Sequence, residues 1–153
     1  MNWTGTIIIV LMFVFVGLMA VVRLSPSNPA EWHVDPTDLA LKPGDGRALM
    51  RADGDLASPE FDMAPQELLA AFDAVADASP RTRVIAGSVE EGRITYMTRS
   101  LIWGFPDYTS VTAIPSGDGA KLVAYARLRF GSSDLGVNAK RLQSWVDAVA
   151  AGS

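Results

Sequence analysis

Arginines set among a few carboxylates are the residues here most able to do chemistry. Arg99, Arg127 and Arg129 fall on strand-like stretches, on the faces opposite the apolar residues, and Lys140 and Arg141 fall in the second turn of a C-terminal helix. Asp107 and Asp134 are the carboxylates placed to meet them. A guanidinium forks onto a carboxylate or phosphate through two parallel hydrogen bonds. Arg99, Arg127, Arg129 and Arg141 could therefore bind an anion, either a carboxylate or a lipid phosphate. Alternatively they pair with Asp107 and Asp134 and fasten a loop and the start of the last helix to a sheet, which needs no ligand.

Other candidates are weaker. Ser132-Ser133-Asp134 opens a helix, where free N–H groups receive anions. Asp134, a good N-cap, already fills that position with negative charge. His33, beside Trp32 and Asp35, is the only histidine available as a general base. It lies in a proline-rich stretch with no evident nucleophile, so packing or hydrogen bonding is its expected role. A hydrolase would need His33 or Asp107 beside Ser100 or Ser133. Tyr96, Trp103, Phe105, Tyr108 and Tyr125 place aromatics in and around the strands, for core packing or, if the sheet curves, as the lining of an apolar ligand site.

Composition narrows the classes further. With no cysteine, a disulfide scaffold, a thiol nucleophile and a Cys-ligated zinc site are excluded. A single histidine excludes multi-histidine metal sites within one chain. No glycine-rich phosphate loop, paired metal-ligand motif or nucleophile elbow is present. No cofactor or metal is expected, and no catalytic residue is assigned. A net charge of −4 and pI ≈ 4.9 argue against a nucleic-acid partner.

Several elements must position these residues. Residues 6–22, TIIIVLMFVFVGLMAVV, carry no charge and no proline. At about 1.5 Å per residue they span roughly 25 Å, and with Trp3, Thr4 and Gly5 they approach the length a bilayer requires. Trp3 and Arg23 are natural interface anchors. A cleaved signal peptide would carry a basic n-region and a small-x-small cleavage site. No Lys or Arg precedes this core, and Leu18 fits the −3 position before Ala20 poorly, so an uncleaved anchor over residues 1–23 is expected. Charge counting alone slightly favours a cytoplasmic C-terminal domain.

Residues 24–62 form a linker-like arm punctuated by Pro26, Pro29, Pro36, Pro43 and Pro59, with a weak strand at residues 47–51. Charge is segregated: residues 24–80 hold eleven acids against three bases, and residues 81–153 nine bases against six acids. The acidic arm either lies against the basic domain or presents a separate solvated surface. Residues 63–153 form the folded domain. Pro65 suits the first turn of a helix with an apolar stripe of Leu68, Leu69, Phe72, Val75 and Ala76, which Ser79-Pro80 stops. Strands are expected at residues 83–87, 93–99, 108–114 and 121–130, with a hairpin loop at 115–119. A last helix follows, with Leu135, Asn138, Leu142, Trp145, Val146 and Val149 on one face and Gly136 allowing close approach to the sheet. The expected fold is α+β: an N-terminal apolar helix, then an antiparallel sheet of four to five strands with two helices on one face, in the order α-β-β-β-β-α.

Thr98-Arg99-Ser100-Leu101, Phe105-Pro106-Asp107, Arg127-Leu128-Arg129 and, most specifically, Ser133-Asp134-Leu135-Gly136-Val137-Asn138 with Arg141 form a recognisable set. From about residue 63 onward the chain resembles the bacterial family known as domain of unknown function 1499. PAEWHVDP at residues 29–36 looks like a variant of the arm in alphaproteobacterial members. Many members carry a Ser-Pro-Asn-Cys-Val-Ser-like segment before the domain, and its cysteine has no counterpart here. The resemblance implies a shared fold and an envelope setting, and with it a bacterial inner-membrane location with the domain in the periplasm. It supplies no activity, and it adds weight to Asp134, Asn138 and Arg141 as a structural unit. The expectation is a non-enzymatic binding or accessory domain. Its partners would be the bilayer, through residues 6–22, and a protein or a small anionic or apolar ligand. A carrier or sensor of a lipid-like or anionic molecule is the alternative, with a hydrolase behind it.

Overall fold

In the computed structural model, which describes residues 2–152, the apolar run is a continuous helix, α1 (Trp3–Leu24). Its length is about 33 Å at the usual helical rise. None of its residues is buried, and the helix is long and apolar enough to cross a membrane. A short helix, α2 (Pro29–Trp32), follows, its first turn closed by the Asn28 side chain accepting from Ala30 N at 3.1 Å.

The chain then enters the sheet earlier than the domain's first helix. Strand β1 (Arg47–Met50) precedes α3 (Pro65–Asp77), which is followed by β2 (Thr82–Ser88), β3 (Arg93–Arg99), β4 (Pro106–Ser116), β5 (Gly119–Leu128) and α4 (Val137–Gly152). The sheet is antiparallel throughout, in the order β1-β5-β4-β3-β2. It has five strands because RALM pairs with the β5 edge, Arg47 opposite Arg127 and Met50 opposite Ala124. The β4–β5 hairpin is tighter than the expected loop. Ser116 still pairs with Gly119, leaving a two-residue turn with Gly117 first, at φ 54°. Hairpins of this length favour glycine there.

Period-two alternation sends Ile94, Tyr96, Val111, Leu122 and Ala124 to one face, where α3 and α4 cover them. Phe72, Tyr96 and Trp145 interlock there with ring centroids 5.7–6.1 Å apart. Their polar tips are paired: Tyr96 Oη donates to Asp73 at 2.7 Å and Trp145 Nε1 to Ser79 Oγ at 2.6 Å. Burial of the Tyr96 hydroxyl and the acceptor on Asp73 push its pKa well above the ordinary range.

Two details of the last helix differ from expectation. Leu135 is not on its apolar face but 87 % exposed, at φ 54°, two residues before the helix begins. Gly136 makes no close approach, since a Cβ there would meet open space. Glycine suits the position because its φ is 78°, a region other residues enter at a cost. Both follow from the turn Asp134 imposes, in which its carbonyl accepts from Val137 N at 3.1 Å. The last strand also stops at Leu128, and Phe130 packs on Phe105 beyond it, centroids 6.1 Å apart.

Candidate functional site

The second face of the sheet is covered by the arm, and the arginines hold it there. Arg127 Nη2 donates to Glu31 O at 2.8 Å, and Arg129 Nη1 to Pro26 O at 2.9 Å. Arg99 donates to Gly104 O at 2.8 Å and to Arg23 O, at the end of α1, at 3.2 Å. On the arm side, Arg51 gathers the carbonyls of Pro36, Asp38 and Leu41. The arm therefore lies on the basic domain, and these arginines grip it by its carbonyls and not by its carboxylates. Asp35 to Arg93, at 3.6 Å, is the one ion pair between arm and sheet among the described residues.

Backbone carbonyls orient a guanidinium without cancelling its charge. Among the described residues, Arg23, Arg81, Arg83, Arg99, Arg127 and Arg129 have no carboxylate at ion-pair distance. Burial, then the adjacent Arg83, pushes the Arg99 pKa down. Burial does the same to Arg127, with Arg47 adding to it against Tyr125 and Glu31.

Aromatic stacking seats the arm. Trp32 lies on Tyr108 with centroids 3.8 Å apart, and the Arg127 guanidinium sits 4.6 Å from the Trp32 ring. The second contact is a cation–π interaction. Tyr108 Oη meets Ser27 Oγ at 2.7 Å and receives Arg129 Nη1 at 3.2 Å.

His33 sits in a hydrogen-bond chain whose direction is fixed at both ends. Arg93 Nε can only donate, so His33 Nε2, 3.1 Å away, accepts. Ser110 Oγ donates to the Trp32 carbonyl at 3.2 Å, so it accepts from Thr95 Oγ1 at 2.8 Å, and Thr95 accepts from His33 Nδ1 at 2.8 Å. The histidine is therefore neutral with its lone pair occupied by Arg93, and Thr95 and Ser110 are buried. Burial, then Arg93, lowers the His33 pKa, with Glu91 opposing. Neither serine of the hydrolytic reading is part of this chain. Ser100 Oγ accepts from Phe105 N at 3.0 Å and Ser133 Oγ from Leu135 N at 3.3 Å, both turn bonds.

Arg141 is set apart from the other three arginines. It donates to Asp107 Oδ2 at 3.2 Å and to Asn138 Oδ1 at 2.9 Å, while Asp134 Oδ2 accepts from Asn138 N at 2.7 Å. Asp107 pairs with Leu128 in the register that faces the helices. Arg141, Asp107, Asn138 and Asp134 thus form a unit that sets the entry of α4. Burial pushes the Asp107 carboxyl up, against the Arg141 guanidinium beside it.

The aromatics divide between the two faces: Tyr96 is in the helix-side core, and Tyr108 and Tyr125 are buried on the arm side. Trp103 and Phe105 belong to the loop after β3. No sequence pattern joins this loop to Arg81 and Arg83 beside it. Leu101, Ile102 and Trp103 are 73 %, 73 % and 44 % exposed. An open cleft of about 620 Å³ beside them is lined by Arg23, Arg81, Arg83 and Arg99. The available signal was Leu-Ile-Trp in a turn two residues after an arginine, a place where water-facing residues are normal.

An apolar helix joined to a five-stranded α+β domain whose free sheet face is covered by its own arm defines the class. The chain belongs to the DUF1499 family, proteins of unknown function, and the family model matches residues 24–149, taking in the arm as well as the sheet. No curated protein and no solved structure matches it.

Proposed function

We propose that α1 anchors the protein in a bacterial inner membrane with the domain in the periplasm, and that the domain is a non-enzymatic binding module for an anionic partner at the membrane surface. One observation carries the reading: Arg99 bonds Gly104 O and Arg23 O together, so the domain is clamped to the end of the anchor instead of swinging on a tether. A clamped domain presents its uncancelled arginines at a fixed height. The filled helix-side core, with Phe72, Tyr96 and Trp145 interlocked, favours binding in open clefts over carriage in an enclosed pocket. The occupied lone pair of His33 argues against acid–base chemistry there.

Native mass spectrometry of the full chain, extracted in mild detergent from its own membrane, tests this. A stoichiometric adduct, either a protein or an anionic small molecule, that disappears on denaturation is expected. A bare chain in every preparation overturns the binding role.

A further inference from the structure

Resting on that membrane-anchored reading, we infer that the cleft lined by Arg23, Arg81, Arg83 and Arg99 binds the phosphate of an anionic phospholipid, with Leu101, Ile102 and Trp103 inserted among the acyl chains beside it. Three observations converge. The Trp103 ring meets Phe15 of α1 edge-on, centroids 5.7 Å apart. Phe15 precedes Arg23 by eight residues. That separation is about 12 Å along the helix axis. A bilayer that surrounds α1 at Phe15 therefore surrounds Trp103 as well. Leu101 and Ile102, both 73 % exposed, are stranded in water without that bilayer.

Immediately above the apolar tip the surface turns basic. Arg23 Nη2 donates to Ile102 O at 3.4 Å, and Arg81 Nε to Arg99 O at 3.1 Å. Gly104, at φ 70°, lets Arg23 lie close: its Nε is 3.1 Å from where a Cβ would stand. These bonds use only part of each guanidinium, and no carboxylate pairs with any of the four among the described residues. Four cations at the depth where α1 leaves the apolar layer match a headgroup phosphate in charge and geometry. The apolar loop supplies what a free phosphate cannot use, so the lipid is the occupant.

The test places the full-length protein in nanodiscs of equal phosphatidylglycerol and phosphatidylcholine and counts lipids retained in native mass spectra. Phosphatidylglycerol should be retained over phosphatidylcholine by about tenfold. R83Q should lower that ratio without changing the melting temperature, because the Arg83 side chain lines the cleft and makes no ion pair among the described residues. R81Q/R83Q should bring the ratio close to one. Excess inorganic phosphate should leave the lipid bound. In the W3F background, brominated acyl chains should quench fluorescence that W103F removes. Equal retention of the two lipids, displacement by inorganic phosphate, or a Trp103 beyond reach of the bromines overturns the lipid site. If the nanodisc preference for phosphatidylglycerol is absent while an adduct from native membranes survives R81Q/R83Q unchanged, the lipid site fails and the binding module stands with its ligand elsewhere.

Discussion

Trp32 of the arm lies flat on Tyr108 of β4, ring centroids 3.8 Å apart and planes 19° from parallel. This contact joins two segments 76 residues apart in sequence and buries Trp32 to 8 % exposure. Arg127 caps the stack, and the Trp32 carbonyl ends the hydrogen-bond chain from His33. The arm is therefore a structural layer of the domain, and its seating can be broken at one residue.

Trp32→Ala is expected to cost about 3 kcal/mol, the usual range for removing a buried large aromatic. Trp32→Phe should cost less than half of that. The indole Nε1 is buried without a hydrogen-bond partner among the described residues, so losing it removes a desolvation penalty along with some contact area. Chemical denaturation checks the energies. Limited proteolysis should cut W32A, and not W32F, within residues 24–46.

His33 makes arm seating depend on pH. Its folded pKa lies below the unfolded value of 6.5, because burial and then Arg93 disfavour the imidazolium. The neutral form is bound more strongly by the folded state. Its stabilisation is thus fully present above 6.5 and is lost as pH falls from there toward the folded pKa. Protonation would set a cation against Arg93 Nε, with Asp35 and Glu91 the nearby acids that offset it in part. Hydrogen exchange of the arm amides should rise as pH drops from neutrality to about 5. His33→Gln should flatten that dependence.

Much of this architecture was legible in sequence. The strand Arg93–Arg99 and the helix starting at Pro65 follow from alternation and from proline at a helix start, both local signals. Asp134, Asn138 and Arg141 were readable as a unit because a cap and an i,i+3 pair lie within eight residues. The arm was not. The arginines that hold it bond to carbonyls, which every residue has, so no side-chain pattern marks Pro26, Glu31 or Arg23 as acceptors. The arginines were visible and their partners were not. The cleft was hidden for a related reason: Arg81 and Arg99 meet across the β2–β3 hairpin, where Arg99 N donates to Arg81 O, but Arg23 joins them only once the arm has folded back.

The Asp107–Arg141 pair gives an asymmetric expectation. Both side chains are largely buried, at 12 % and 15 % exposure. Arg141→Met leaves Asp107 buried without its cation and should cost about 3 kcal/mol at neutral pH. Asp107→Asn keeps an acceptor for Arg141 and removes a carboxylate whose pKa burial already raises. It should cost about 1 kcal/mol or less. Because the folded pKa of Asp107 is raised, acid does not weaken the fold through this group. The Arg141→Met variant should regain stability as pH falls and Asp107 protonates. Denaturant midpoints of both variants at neutral and mildly acidic pH check this.

Two glycines with the same backbone angle should respond very differently to alanine. Gly87 and Gly136 both hold φ at 78°. A left-handed backbone costs a residue with a β-carbon roughly 1–2 kcal/mol. At Gly136 a Cβ meets nothing within 4 Å, so Gly136→Ala should cost that strain and no more. At Gly87 the Cβ would collide with Arg93 O and stand 2.9 Å from His33 Cε1. The first atom is backbone of the paired strand and the second is the ring that orders the arm, so neither can yield without breaking something. Gly87→Ala should therefore cost upwards of about 3 kcal/mol and release the arm at neutral pH, as acid does for the native chain. Comparing the two variants by melting temperature and by proteolysis of residues 24–46 separates backbone strain, common to both, from the Arg93 O and His33 contacts, present only at Gly87. Equal sensitivity of the two would mean that the Gly87–His33 packing contributes nothing to holding the arm.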